Sequence, residues 1–475
     1  MADRPGGGLN PASGAFLDEL AARVPSDTIR PAEDRHREEM RRIARGTAEA
    51  VALPRSAEAV GTILRACNEA RVAVIPWGGG TGLVGGQLSD GTPALTLSLE
   101  RMRAVRGVWP EEGACTVESG MILEELHAVA AQHGMLFPLS LASQGSARIG
   151  GLLATNAGGT HVLRYGTMRE LALGIEAVLP DGSVMHTAHR LRKANLGYDL
   201  RHLLIGSEGT LGVITAASLR LFARPRDEAA AFLAVTAPED ALTLLAMARD
   251  RLAEGVKACE LIDGTGLRWV AEHFPDTRQA FEGEPPAWSV LLEVGLSDGA
   301  ADALEEIAAS AMERGMVTDG AVSRSEAQRA AFWAVRETIP EANRAIGAIV
   351  SHDVSVPLSE IAALIREGQA ALRAVAPDVR FNVFGHVGDG NLHYNLFPAV
   401  GRDRADYAGV KDRLSATLHD MVAAKGGAIS AEHGIGRFKA GELARLHDPA
   451  AMAAMRAVKA ALDPNGIMNP GAGLA

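Results

Sequence analysis

The sequence is short of cysteine, of positive charge and of long apolar runs. Its three cysteines, Cys67, Cys115 and Cys259, are widely separated and form no CxxC pair. That argues against a disulfide framework or a cysteine zinc cluster and fits a reducing compartment. Acidic residues outnumber basic ones by 58 to 47, a net charge of −11. A phosphate-backbone partner needs a concentrated basic face, so nucleic acid is not expected as a partner. No apolar stretch approaches the ~20 residues that span a bilayer. Met1–Pro11 is rich in glycine and proline and lacks the apolar core of a signal peptide. The expectation is a cytoplasmic protein without an integral membrane segment, with peripheral attachment to a membrane left open.

What is present is length and glycine. A chain of 475 residues exceeds the roughly 250–300 residues at which single cores stop growing, so two or three domains are expected. The 52 glycines are costly to order and point to loops where backbone must approach something closely. Residues 1–45 read as a surface lead-in with one helix, carrying Phe16, Leu17, Leu20 and Val24 at helical spacing, and then a solvated charged stretch, Glu33–Arg45. Ala50–Leu53, a helix capped by Ser56 and Val72–Ile75 read as a βαβ unit, with Cys67 a core thiol on the helix's apolar face. Arg224-Pro225-Arg226 is a plausible domain boundary. Beyond it, helical runs (Glu239–Leu252, Asp302–Arg314, Leu358–Val375) alternate with strands (Ser289–Val294, Val379–Phe384), an α+β pattern. The division expected is a lead-in over 1–45, a first domain over 46–225, a second over 226–425 and a closing segment over 426–475. In the last, Asp448-Pro449 starts a helix and Asp463-Pro464-Asn465-Gly466 forces a turn.

Gly80-Thr81-Gly82-Leu83-Val84-Gly85 matches GxGxxG, follows a strand, and has Glu100 about 20 residues on, as a Rossmann fingerprint asks. That fingerprint also needs a helix directly after the loop. Gly85-Gly86 and Ser89-Asp90-Gly91-Thr92-Pro93 leave no room for one. The better reading is a nest of backbone N–H groups for phosphate oxygens; a plain tight turn is the other. Two more glycine-rich stretches, 141–159 and 205–212, shift the balance toward a large anionic cofactor held mainly by main chain.

The densest chemistry lies in Phe384–Asn395. Asp389-Gly390 is a hairpin signal that would set His386 on one arm and His393 and Asn395 on the other. Two imidazoles across a hairpin can converge on one divalent ion, and Ser430–Gly436 could add the carboxylate of Glu432. His433 would then be free as a general base. Arg336 could hold a carboxylate in bidentate fashion, although a salt bridge on a helix surface is the commoner role for such a residue.

Seven stretches in order, PWGGGTGLVGG (76–86), GGLLATNAGG (150–159), RYGTMRELALGIEAVLPDG (164–182), IGSEGTLGVIT (205–215), GHVGDGNLHYN (385–395), SAEHGIG (430–436) and DPNGIMNPG (463–471), carry a resemblance across most of the chain. The sequence resembles the FAD-linked oxidoreductases of the vanillyl-alcohol oxidase and p-cresol methylhydroxylase (PCMH) type. Within them it is similar to the D-lactate and D-2-hydroxyglutarate dehydrogenases and the glycolate oxidase flavoprotein subunit. The resemblance implies an α+β fold: a two-part PCMH-type FAD-binding domain, an α+β cap or substrate domain, and a C-terminal segment returning to the flavin. It implies that Pro76, Gly78, Gly79, Gly80, Thr81, Gly82, Ser143, Gly150, Thr155, Asn156, Gly158, Gly159, Glu208, Gly209, Gly212, Val213, Ile214 and Asn469 hold non-covalent FAD. No histidine lies in the first flavin loop, which leaves His161 as the residual position for covalent attachment. By the same resemblance His386, His393 and Glu432 would bind a divalent metal, zinc or else manganese or iron. His433 would be the catalytic base, Arg336 would hold the substrate carboxylate, and Asn395 would line the pocket.

The implied reaction is oxidation of a D-2-hydroxy acid, of the D-lactate or D-2-hydroxyglutarate class, with hydride passing to FAD. Electrons would leave to a quinone, an electron-transfer flavoprotein, a cytochrome or oxygen, and a homodimer is open. Two positions depart from the 2-hydroxyglutarate pattern. Pro340 stands where those enzymes carry threonine, and Ser351 where they carry lysine. Rival readings are a non-catalytic flavoprotein subunit, a flavin-dependent ether-lipid synthase of the same fold, and a metal hydrolase, which would leave the glycine loops unexplained.

Overall fold

The computed structural model describes residues 8–89 and 91–474, so Asp90 and the first seven residues of the Met1–Pro11 stretch lie outside the described residues. Two compact units emerge. Of the described residues, the first contains 8–89, 91–159, 166–224 and 432–474; the second contains 160–165 and 225–431.

The first unit is built on two main sheets. In the four-stranded one the order is Ile29–Pro31, Ala50–Ala52, Leu95–Ser98, Val74–Trp77. The helix Ala57–Ala70 begins as expected, with Ser56 Oγ accepting the Ala59 N–H at 3.2 Å. Its Val60, Ile63, Leu64 and Cys67 are fully buried, which confirms Cys67 as a core thiol whose pKa burial raises. The two strands of the expected βαβ unit do not touch. Leu95–Ser98 lies between them, parallel to both. All four of its residues are buried, as befits a central parallel strand covered on both faces. The second sheet is antiparallel, ordered Val105–Trp109, Ala114–Glu118, Val213–Arg220, Ala172–Val178, Val184–His186.

The lead-in is more than a surface segment. Ile29–Pro31 pairs antiparallel with Ala50–Ala52, and Leu20 of the helix Ala15–Arg23 joins the core of this unit. Within the stretch expected to be solvated, His36 and Glu39 are buried. Glu39 accepts from Arg41 Nε at 2.8 Å and His36 Nδ1 from the Glu33 N–H at 3.0 Å. Charge density misled there because the buried groups are paired.

The second unit is a seven-stranded antiparallel sheet, ordered Val317–Val322, Asp227–Val235, Trp288–Leu296, Val256–Asp263, Arg380–His386, Asn391–Phe397, Val350–Ser355. Helices Pro238–Leu252, Ala300–Glu313, Ile361–Val375 and Lys411–Ala424 pack their apolar stripes on one face. Gly264–His273 and Glu326–Ile346 cover the other, with Leu267, Val270, Val335 and Ile339 against Phe232, Ile262, Leu291 and Phe384. The expected boundary at 425/426 moves to 431/432. The cause is local: Ala428 bridges to Ser355 at the sheet edge, so 426–431 stays with the second unit. Among the described residues no helix is long and apolar enough to cross a membrane.

Candidate functional site

In the first unit three glycine loops meet. Strand Val74–Trp77 runs through Pro76 into Gly78–Gly82. A Cβ on Gly78 would stand 3.3 Å from the Gly151 Cα, and one on Gly79 would overlap the Ser146 carbonyl at 2.0 Å. The turn that places Ser146 begins at Ser143, whose carbonyl accepts from the N–H of Ser146 and Ala147. Gly150 presses on Ser119, where a Cβ would meet the Ser119 Cβ at 2.7 Å, and Gly209, with φ +71°, on Pro76 at 2.8 Å. These glycines let backbone approach other backbone, at Gly78 and Gly79, and the Ser119 and Pro76 side chains, at Gly150 and Gly209.

The other predicted cofactor residues lie around that junction. Thr155 Oγ1 donates to the Gly151 carbonyl at 3.1 Å. Asn156, with φ +50°, is locked by its Oδ1, which accepts from Thr167 Oγ1 and the Arg169 N–H. Gly158 and Gly159 follow, and the Gly159 N–H donates to Glu432 Oε1 at 2.7 Å. Gly80 has φ +72° and is followed by Thr81; the Gly82 carbonyl accepts from Gln87 Nε2. The Glu208 N–H donates to the Ala154 carbonyl, and its carboxylate accepts the N–H groups of Ile435 and Gly436 at 2.8 and 2.7 Å. Burial pushes the Glu208 pKa up, and those two donors offset part of the rise. Gly212 leads into Val213 and Ile214, which are buried members of the strand Val213–Arg220 paired with Val178 and Ala177.

The C-terminal segment ties the loops together. Met468 bridges in parallel to Val74, and Asn469 Nδ2 donates to the carbonyls of Gly86 and Glu208 at 2.9 and 2.8 Å. Arg437 holds Asn469 Oδ1 at 3.0 Å and reaches the Gly85 carbonyl. Two buried polar atoms here, Ser119 Oγ and Trp77 Nε1, have no hydrogen-bond partner. Orphaned donors beside a backbone cradle fit a long polar cofactor whose diphosphate needs amides rather than lysines.

The second unit carries His386 and His393. Arg380–His386 and Asn391–Phe397 form the expected hairpin, with Phe384 opposite His393 and Asn382 opposite Asn395. The His386 and His393 rings lie 5.4 Å apart, centroid to centroid, at 80°. Each has a carboxylate behind it. Glu260 Oε1 is 2.5 Å from His386 Nδ1, and Asp353 Oδ1 is 3.7 Å from His393 Nδ1. Imidazoles backed by carboxylates are a donor set suited to a divalent metal. Asn395 Nδ2 donates to the carbonyls of Asn382 and His393.

Arg336 sits on the helix Glu326–Ile346 but not on its surface. It is buried, donates from Nε to Glu260 Oε2 at 2.7 Å, and lies 4.7 Å over the Phe384 ring. The surface salt bridge considered for it is therefore not its role. Burial alone would raise the Glu260 pKa; His386 and Arg336 outweigh it and hold the carboxyl well below the ordinary range. One turn on, Pro340 continues the helix without an N–H for the Arg336 carbonyl. Ser351 is exposed in register with Asn395. His161 also belongs to this unit, with Nε2 held by buried Glu293 at 3.1 Å.

The chain leaves the second unit beside this hairpin. The Ala431 N–H donates to the carbonyl of Asp353, the strand partner of His393. Glu432 and His433 come next, and Gly434 and Gly436 take φ +81° and +48°, the bend expected of their loop. Sequence reasoning passed over Glu260, Asp353 and Arg437. The available signal for Glu260 was a carboxylate inside the otherwise apolar run Ala258–Ile262.

One unit with a cradle of glycine loops and a second, α+β unit in the same chain are the build of a two-domain flavoprotein. Residues 48–188 match the FAD binding domain, and 224–472 match the C-terminal domain of FAD linked oxidases. The D-2-hydroxyglutarate dehydrogenase of Xanthomonas citri pv. viticola is 38% identical over 423 residues, covering 89% of this chain and 88% of that one. The mitochondrial D-2-hydroxyglutarate dehydrogenase of Bos taurus is 37% identical, covering 90% and 77%. Among solved structures, p-cresol methylhydroxylase aligns with TM-score 0.77 at 15% identity over 98% of this chain and 99% of that one. An alkyldihydroxyacetonephosphate synthase aligns with TM-score 0.71 at 17% identity, over 97% and 85%. The chain belongs to the FAD-linked oxidases, and it is an FAD-binding oxidoreductase of PCMH-type fold.

A side chain at Gly79 has no room. Gly79→Val is expected to separate the 76–82 and 143–151 loops and to abolish flavin retention. The ratio of visible flavin absorbance to protein absorbance after purification checks this; a stoichiometric yellow variant would refute the cradle.

Proposed function

We propose that the protein oxidises a D-2-hydroxy acid to the corresponding 2-oxo acid, in the D-lactate or D-2-hydroxyglutarate class. The carrying observation is the buried set Arg336–Glu260–His386 beside His393 on one face of the second unit. FAD, when bound, supplies the two-electron acceptor for the α-hydrogen. A divalent ion held by His386, His393 and Glu432 would supply Lewis acidity toward the α-hydroxyl. Glu432 follows directly on Ala431, which is bonded to the strand next to His393; chain connectivity supports it as the third ligand.

The rest falls to side chains. Glu260 occupies Nε of Arg336, which leaves the Nη1/Nη2 edge to grip the substrate carboxylate in a bidentate pair. Asn395 lines the pocket beside His393. His433 takes the hydroxyl proton as the α-hydrogen leaves. Pro340 and Ser351 carry no charge, so the end of the substrate remote from Arg336 meets no cation from these two positions, which favours monocarboxylates over 2-hydroxyglutarate.

Anaerobic mixing with a panel of D- and L-2-hydroxy acids, with and without a chelator, tests the reading. The D-acids should bleach the flavin, D-lactate-type substrates faster than D-2-hydroxyglutarate, and the chelator should slow them. No bleaching by any acid would defeat the proposal.

A further inference from the structure

We propose that Glu260 is the positioning residue of this site, one buried carboxylate that orients both His386 toward a metal and Arg336 toward the substrate. The inference rests on the metal-assisted reading above and assigns a role to a residue outside the ligand and base set.

The geometry is specific. Glu260 lies on the strand Val256–Asp263, directly opposite His386 on the neighbouring strand, and it is fully buried. Each of its oxygens has a different partner. Oε1 is 2.5 Å from His386 Nδ1 and Oε2 is 2.7 Å from Arg336 Nε. A carboxylate can only accept, so His386 carries a proton on Nδ1, and in the neutral ring Nε2 is then the lone-pair nitrogen. That is the tautomer a metal needs. On the other side, capture of Nε restrains the guanidinium, whose Cζ also lies 4.7 Å over the Phe384 ring, and leaves the Nη1/Nη2 edge to the substrate.

A simpler structural role would need only charge balance for Arg336. One partner would suffice for that, and His386 would not need a carboxylate at all. The split of the two oxygens between a candidate metal ligand and a candidate substrate anchor is what a shared brace requires. It predicts that loss of Glu260 impairs metal binding and substrate binding together.

Glu260→Gln keeps size but replaces one acceptor oxygen with a donor NH2, which conflicts with either His386 Nδ1–H or Arg336 Nε–H. The measurement is zinc affinity of the FAD-loaded full-length protein, by competition with a chromophoric chelator, together with the visible spectrum of the cobalt-substituted protein. Wild type, E260Q, Glu260→Asp and His386→Ala are compared, with flavin content and thermal midpoint as fold controls. E260Q is expected to lose about 10–100-fold in zinc affinity, to change the cobalt spectrum and to raise KM for the hydroxy acid. E260D, which keeps the charge on a shorter arm, should recover part of each and provides the reading if E260Q does not fold. Zinc bound in a His386-dependent manner with equal affinity in wild type, E260Q and E260D would overturn the role of Glu260 and leave the metal reading standing. Wild-type protein that holds neither zinc nor cobalt would overturn both.

Discussion

Replacing His433 with alanine is expected to leave the flavin bound and almost to abolish its reduction by substrate. A positioned general base contributes about 10²–10⁴-fold, and anaerobic bleaching by the best D-2-hydroxy acid should slow by that factor. The flavin should stay because the Gly78–Gly82, Gly150–Gly159 and Ile205–Gly212 loops are braced independently of the imidazole. Their contacts run through Asn469, Arg437 and the carboxylate of Glu208, which accepts from the backbone of Ile435 and Gly436. The oxidised flavin spectrum and its stoichiometry serve as the control. Reduction at the wild-type rate in His433→Ala would remove the base from this residue. Loss of flavin together with loss of reduction would point instead to a structural role for the Glu432–Gly436 bend.

Replacing Arg336 with alanine should have two separable effects. The first is on substrate. A charge-assisted pair is worth about 1.5–3 kcal/mol, so KM for the hydroxy acid should rise by roughly 10–150-fold, at 1.4 kcal/mol per tenfold. The second is on the fold. Arg336 is one of two partners of the fully buried Glu260, and removing one partner of a buried ion pair costs about 3–5 kcal/mol. The thermal midpoint of Arg336→Ala should fall accordingly. Arg336→Lys keeps the charge but loses the planar fork, so it should recover stability better than substrate affinity. An unchanged KM in Arg336→Lys and Arg336→Ala would remove the substrate carboxylate from this residue.

Local signals were legible where the chain satisfies itself within a few residues. Ser56 and Asp448 cap their helices as expected, the Asp389-Gly390 turn closes a hairpin, and among the described residues no helix lies between the first glycine loop and the strand Leu95–Ser98. The match to GxGxxG was rightly set aside, because glycine density after Gly85 carries its own conformational cost. The glycines were expected where backbone must approach something closely, and much of what it approaches is the protein itself. Gly79, Gly150 and Gly209 are needed because other protein backbone or side chains already occupy the space of a Cβ.

Residues paired across distant strands and helices were the ones misread. Arg336 has the look of a helix-surface arginine, and Glu260 that of an accident in an apolar strand. Both descriptions fail because 76 residues of chain separate them and the packing of the helix Glu326–Ile346 on the sheet brings Arg336 Nε to 2.7 Å from Glu260 Oε2. The same holds for the lead-in strand Ile29–Pro31, which forms against its partner Ala50–Ala52; Glu39 was misread for another reason, since its partner Arg41 is only two residues away and its burial leaves no local trace.

The glycine loops, caps and turns were legible because they act through the backbone over short range, and the flavin-binding oxidoreductase of two α+β parts followed from the family resemblance that the seven ordered stretches carry. Strand order, the position of Leu95–Ser98 between its parallel neighbours, the domain limit at Ala431 and the brace at Glu260 came only with the tertiary structure. Each depends on which side chains or strands meet after burial, and burial forces polar groups to find partners that no local spacing records.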